Sequence, residues 1–456
     1  MATFSAEYEA TQQTSNRWSS SGIWGLSPLC LCLANMALAC IAIIYPPHWI
    51  VTSLHERDLA FLNPGLVLVV IISGMSFIFG LMFVSLVFDQ GYLKVRRSPP
   101  FKTNNRLYNK ALLLITITIF GETLIAFLLL HKTGTAAFIA ALNNPTTGII
   151  FREKLVTIAR FHTINILAFE TLFYPALIIA FFIILGYSNG RKKMRGLLYF
   201  SFGSLSYLLV NFITFTRWQI MQYLLSMVAV FVLNKNSQEG VSLIKLLRLG
   251  MYFLVLALSI FIFVNALKTQ ISGGNALIGY TIGSYNNAAA TISRTVIQPF
   301  ADSSYVALGA LWNAPFIGPH LREIGISLGL NLPGPHANAT MGWSTWSDAL
   351  EKSGLNSIYQ WNTIFGSVFG DVSIFFPIIF FVYGAISQYL FIEFINLKLY
   401  GVLLYIFFMV SVVTWFTSVF ISNTTLDDYA IFSGFLYFLI RRDWYSSRYR
   451  GRSVEP

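Results

Sequence analysis

NPGLVLVVIISGMSFIFGLMFVSLVF, residues Asn63–Phe88, decides the fold class, because 26 consecutive residues pass without a charge. A stretch that long and apolar crosses a bilayer as a helix, the form in which every backbone N–H finds its acceptor inside the segment. Read outward in both directions, apolar runs separated by charges or by Pro, Gly and Asn place ten spans. They lie at about 24–45, 63–88, 110–131, 163–187, 197–215, 218–233, 247–268, 364–390, 400–420 and 428–441. Of the 456 residues, 55% are hydrophobic, 16% aromatic and only 11% charged, whereas a soluble domain carries about 25% charged residues. The expected fold class is therefore an all-α polytopic membrane protein.

The net charge of +11 raises the question of nucleic acid, and the distribution of the charge answers it. Basic residues cluster in the short connections, where they orient the chain. With the N-terminus in the cytoplasm, the inner segments hold Arg17, the group from Lys94 to Lys110, Arg191 to Arg195, Lys235, Lys245, Arg248, Lys398 and Arg441 to Arg452. Those are twenty of the thirty Lys and Arg residues, and the opposite orientation inverts the bias. Both termini are expected inside, and no nucleic-acid partner is expected. Cys30, Cys32 and Cys40 all fall in the first apolar run without metal or disulfide spacing, so packing is their expected role. The polar residues before the first span lack a cleavage site for a signal peptide. The expected organisation is an N-terminal cytoplasmic tail, 1–23, one transmembrane domain, 24–441, with outer loops at 132–162 and 269–363, and a basic C-terminal tail, 442–456.

The unusual residues gather outside. From Thr269 to Thr363 the chain runs for 95 residues rich in Gly, Asn, Ser, Pro and aromatics, which reads as one large outer loop, partly re-entrant, with short helices in it. Arg217 stands in Phe215-Thr216-Arg217-Trp218, between two spans joined by almost no loop, as either a snorkelling anchor or an anion ligand. Arg152 and Arg160 flank the amphipathic stretch Phe151–Phe161, which an interfacial helix alone explains. Arg294 follows Asn286-Asn287-Ala288-Ala289-Ala290 near the end of an expected helix, and Arg322 can pair with Glu323. The planar guanidinium fork suits phosphate. His336 sits in the rigid turn Leu332-Pro333-Gly334-Pro335-His336, as either a surface histidine or a positioned base, with His320 a weaker candidate. Glu122 and Glu170 fall inside spans, where a structural contact and a functional role compete, and Asp371 lies near the outer end of the eighth span. There is no metal-ligand cluster, phosphate-cradling glycine loop or nucleophile elbow in the sequence.

Many spans with one long late loop, together with three local patterns, resemble the O-antigen and exopolysaccharide repeat-unit polymerases and the related O-antigen ligases. The patterns are the Thr216-Arg217 turn opening an apolar helix, Tyr280-Thr281-Ile282-Gly283-Ser284-Tyr285 early in the loop, and Asn356 to Asp371 closing it. The family's Asp-Phe-Gly is replaced by Gly370-Asp371-Val372-Ser373. The resemblance implies a GT-C-like, metal-independent glycosyltransferase of the bacterial inner membrane that needs no cofactor. Its donor would be an oligosaccharide on undecaprenyl pyrophosphate and its acceptor the sugar of another lipid-linked repeat unit. A chain-length regulator and a flippase would be its protein partners, and membrane lipid its surroundings. On this footing Arg217, with Arg152, Arg160, Arg294 and Arg322, would hold the pyrophosphate, and His336, Glu323 or Asp348 would act as base. Tyr280, Trp343 and Tyr359 would stack on sugars. The same residues leave open a ligase that transfers glycan to a lipid A core, or a flippase for the lipid-linked oligosaccharide.

Overall fold

The helices begin and end where local chemistry directs. Asn63 Oδ1 accepts the Leu66 N–H at 3.0 Å and Pro64, which has no N–H to satisfy, is the first residue of α2 (Pro64–Val87). Asn104 does the same for α3 (Asn105–Thr133), and Gly134, at φ 85, ends it by returning its N–H to the Leu130 carbonyl. In chain order the other elements are α1 (Pro28–Ile44), α4 (Thr135–Asn143), α5 (Glu170–Tyr187), α6 (Gly190–Ile213), α7 (Arg217–Gln238), α8 (Ser284–Ile292), α9 (Gly318–Ser327), α10 (Thr363–Val372), α11 (Phe376–Ile395), α12 (Leu399–Val413) and α13 (Thr424–Tyr449). This computed structural model describes residues 23, 25–44, 63–87, 104–143, 151, 160–161, 164–165, 170–214, 217–238, 279–294, 318–329, 348–356, 362–416 and 424–449.

Among the described residues, four helical runs are long and apolar enough to cross a membrane: Pro64–Val87, Asn105–Thr133, Gly190–Ile213 and Thr363–Ile395. Shorter apolar helices cover Pro28–Ile44, Leu172–Tyr187, Gln219–Lys235 and Leu399–Val413. Large apolar side chains face outward along them, among them Phe79 and Phe83 on α2 and Phe120 and Phe127 on α3, as lipid-facing surfaces require. The protein is thus a helical, membrane-embedded protein. The expected span 247–268 lies outside the described residues.

Several boundaries differ from the hydropathy reading, each for a local reason. Arg160–Phe161 pairs antiparallel with Ile164–Asn165, so the end of the expected interfacial helix Phe151–Phe161 is extended, and α5 begins only at Glu170. The aromatic and β-branched residues at 161 and 164 favour that pairing. Within the expected span 400–420 the helix ends at Val413, and two residues on the Trp415 carbonyl accepts the Ile364 N–H at 2.8 Å. The expected span 364–390 is two helices, because Ser373, at φ 49 and ψ −128, turns the chain between α10 and α11. The last helix runs on to Tyr449, well into the expected tail.

The tightest packing is α2 against α11. A Cβ on Gly80 would lie 2.1 Å from the Phe381 carbonyl oxygen, and one on Gly384 2.1 Å from that of Phe77, so here backbone meets backbone. Beside this crossing the Trp415 ring sits 4.9 Å from Phe77, 5.6 Å from Phe380 and 5.8 Å from Phe365, mostly edge to face. Asn35 Nδ2 ties α1 to α12 by donating to the Val412 carbonyl at 2.8 Å. Cys32 is buried in α1 as a packing residue, while Cys30 and Cys40 are exposed. At one end of the bundle, buried Glu393 accepts from Lys398 at 2.8 Å and from the Tyr400 hydroxyl, closing the turn between α11 and α12.

Candidate functional site

The two ends of the long loop fold into a polar pair inside an apolar bundle. A π-helical turn, Gly279–Gly283, leads into α8, and every residue of α8 from Ser284 to Thr291 is buried. The run Ser-Tyr-Asn-Asn-Ala-Ala-Ala-Thr has small or amide side chains almost throughout, so a second backbone can approach it. That backbone is α10. A Cβ on Gly366 would stand 2.7 Å from the Ala288 Cα, and Thr291 Oγ1 lies 3.2 Å from Asn362 Oδ1, so the two helices run antiparallel. Tyr285 faces Phe365 with ring centroids 6.3 Å apart.

The polar content of this layer is high. Ser284, Asn286, Asn287, Thr291, Asn362, Thr363, Ser367 and Asp371 are all buried. Burying an amide or hydroxyl costs roughly 1–3 kcal/mol unless it is hydrogen-bonded, and irregular backbone at membrane depth is tolerated only where protein covers it or it lines a cavity. Part of the demand is met locally. The Thr291 hydroxyl reaches the Asn287 carbonyl at 3.0 Å as well as Asn362, and the Gly366 N–H donates to Thr363 Oγ1 at 3.2 Å. The layer is strained at its ends, since Arg294, Thr363 and Ser373 have φ of 58, 52 and 49. A third piece of the loop, the helix at 348–352, joins it through Leu350 and Leu355, which pack on Ala290. The polar side chains of this layer are thus neutral amides and hydroxyls with one carboxylate, Asp371.

The expected site residues distribute around this layer unevenly. Tyr280 belongs to the π turn that leads into α8, and Arg294 emerges exposed just beyond the end of α8. Asp348 is exposed at the start of the helix that packs on Ala290. Glu323 is exposed on α9 with its carboxylate 4.0 Å from His320 Nδ1, so its described neighbour is His320. Arg217 is the first residue of α7, Arg160 lies in the short extended pairing and Arg322 lies in α9, but the side chains of all three, and that of Tyr280, lie outside the described residues. Arg152, His336, Trp343 and Tyr359 lie outside them altogether. Glu122 is fully buried on α3, away from the ends of the long loop in sequence. Among the described residues no group of three or more His, Cys, Asp or Glu side chains is placed to hold a metal ion.

Sequence reasoning passed over Asn287, Thr291, Asn362 and Ser367. A signal was present: Asn287 and Thr291 stand four apart, as do Thr363 and Ser367, which puts each pair on one helix face. Comparison of the chain with family models, with curated proteins and with solved structures finds no match.

Proposed function

We propose that the protein is a polymerase of lipid-linked oligosaccharide repeat units in a bacterial inner membrane. In this reading the chain has ten spans, a GT-C-like arrangement, cytoplasmic termini and a periplasmic long loop. It transfers a growing glycan from undecaprenyl pyrophosphate to the sugar of another repeat unit. The observation that supports it best is the buried amide and hydroxyl layer made from both ends of one loop, with Asn286, Asn287, Asn362 and Asp371 in it. Chemically, the bond from the anomeric carbon to the pyrophosphate oxygen breaks as the acceptor hydroxyl bonds to that carbon. The hydroxyl proton passes to a base, for which His336 is the first candidate and Glu323 or Asp348 the alternatives. Charge developing on the departing pyrophosphate is stabilised by guanidinium groups, Arg217 first among them.

A second reading, a flippase for the same lipid-linked oligosaccharide, draws support from the break at Ser373 and the short helices α8 and α10, since discontinuous helices are how many transporters build their sites. One experiment separates the two. Purified protein in liposomes is given an undecaprenyl-pyrophosphate-linked repeat unit, and both chain length and sidedness are measured. Polymerisation lengthens the glycan, whereas flipping moves it without growth. Arg217→Lys is expected to lose polymerisation almost as fully as Arg217→Ala, because Lys lacks the fork; full activity in Arg217→Lys would reduce Arg217 to an anchor.

A further inference from the structure

At the end of the bundle that carries the turn after α11, three helix termini are fastened side by side. Lys192 Nζ donates to Asn105 Oδ1 at 2.9 Å and the Tyr108 hydroxyl to the Lys192 carbonyl at 2.9 Å, which joins α6 to α3. Lys110 Nζ meets Asp443 Oδ2 at 2.7 Å and Asn104 Nδ2 donates to the Asp443 carbonyl at 3.4 Å, which joins α3 to α13. Trp444 Nε1 donates to the Leu397 carbonyl at 3.3 Å and brings in the α11–α12 turn. The acids of this end are taken up by these ties, Asp443 with Lys110 and Glu393 with Lys398.

What remains on the surface is basic. Arg106, Arg191, Arg195, Arg441 and Arg442 are exposed, and among the described residues no carboxylate pairs with them. The arginines head apolar stripes on the same helix faces. On α6, Arg191 and Arg195 are followed at helical spacing by Leu198, Phe202 and Leu205, which are 63%, 54% and 64% exposed. On α13, Arg442 and Arg441 are followed by Phe438 and Phe435, 65% and 60% exposed, and the Arg441 guanidinium lies 4.7 Å from the Phe438 ring centroid. A ligand that covers such a face needs an anionic head and an apolar body of several turns' length.

We propose that these faces bind anionic phospholipids, one headgroup phosphate held by Arg191 and Arg195 on α6 and another by Arg441 and Arg442 on α13, with the acyl chains along the stripe below each. The guanidinium fork receives two phosphate oxygens. A zwitterionic lipid brings an ammonium group that this cluster repels, and a free phosphate leaves the stripes uncovered, so the net negative lipid fits both halves. Each basic residue at an anionic membrane surface adds to the attraction. The inference stands apart from the proposed glycan chemistry, since it uses none of the same residues.

The test uses the full chain purified in zwitterionic detergent and native mass spectrometry with equal amounts of phosphatidylglycerol and phosphatidylcholine of matched acyl chains. Phosphatidylglycerol is expected to be retained preferentially, and Arg191→Gln/Arg195→Gln is expected to weaken its retention by roughly tenfold or more while leaving phosphatidylcholine unchanged. Equal retention of the two lipids by the natural protein, or undiminished phosphatidylglycerol on the variant, overturns the proposal. Thermal stabilisation by inorganic phosphate equal to that by phosphatidylglycerol also overturns it, in favour of a free-anion site. If that variant does not purify folded, Arg441→Gln/Arg442→Gln takes its place with the same expected and refuting results.

Discussion

Replacing Gly80 or Gly384 with alanine tests the crossing of α2 and α11 on which the rest of the bundle is built. The new methyl at position 80 would lie 2.1 Å from the Phe381 oxygen and 2.8 Å from the Ala385 nitrogen, and at position 384 2.1 Å from the Phe77 oxygen. A carbon–oxygen contact requires about 3.3 Å, so the helices must separate by roughly 1 Å along that contact. The obstructing atoms are backbone, and no rotamer change relieves them. A radial gap of that size forfeits roughly a quarter to a half of each dispersion contact across the crossing. Overpacking of this kind costs about 1–3 kcal/mol, and each single variant is expected near the upper end. The double variant is expected to cost less than the sum, since the separation opened for one methyl admits the other. Gly434→Ala is the control, because a Cβ there meets nothing within 4 Å, and it is expected to be neutral or to gain up to about 1 kcal/mol of helix propensity. Unfolding by SDS in mixed micelles, followed by tryptophan fluorescence, measures all four, with Trp415 reporting from the crossing itself. Losses at Gly80 and Gly384 no larger than at Gly434, or strict additivity of the pair, refute the close-approach argument.

Two further outcomes are read in the same titration. Asn35→Leu, which removes the bond to the Val412 carbonyl, is expected to cost roughly 0.6–1.7 kcal/mol, the range for a hydrogen bond between membrane helices; no loss would show that the contact does not hold α1 to α12. Lys398→Met leaves Glu393, whose side chain is 5% exposed, without its cation, a change worth about 3–5 kcal/mol for a fully buried pair and less here because Lys398 is 38% exposed. Lys398→Met/Glu393→Gln is expected to recover most of that loss, and failure to recover it would mean that Lys398 acts through packing instead of charge.

Hydropathy located the helices well wherever their faces meet lipid, because the long, nearly uncharged apolar runs along Pro64–Val87 and Asn105–Thr133 are themselves a response to the solvent. It placed ends poorly where tertiary hydrogen bonds intervene. α12 ends at Val413, where the Thr414 hydroxyl bonds back to the Val410 carbonyl at 3.0 Å, and just beyond it Ile364, far earlier in the chain, donates to the Trp415 carbonyl, a contact that the residues around 413 do not announce. The inner ties are likewise invisible in composition. Asp443 reads as one more charge in a basic tail, yet it meets Lys110 at 2.7 Å and carries α13 past the expected end of its span.

The site was legible in a different way. The loop Thr269–Thr363 stood out by its Gly, Asn, Ser, Pro and aromatic content. What composition could not supply was which polar residues turn inward, because that depends on Gly366 admitting the Ala288 backbone and on α10 being short. The shortness has a cause that can be named. Thr363 and Ser373 bracket α10 with φ of 52 and 49, a region that only glycine enters freely, and a β-branched threonine is the least suited of residues to it. Each such conformation costs of order 1–3 kcal/mol and persists only where the surroundings over-determine it. Here the surroundings are the Ile364 bond to Trp415, the Phe365 ring against Phe380 and Trp415, and the Phe369 ring against Phe376. A helix held strained at both ends, carrying Asp371 buried in its last turn and Ser367 beside Ala288-bearing α8, is positioned by the fold against its own backbone preference. Local preference and global structure conflict at α10, and the fold holds it by packing and by the Ile364 bond to Trp415.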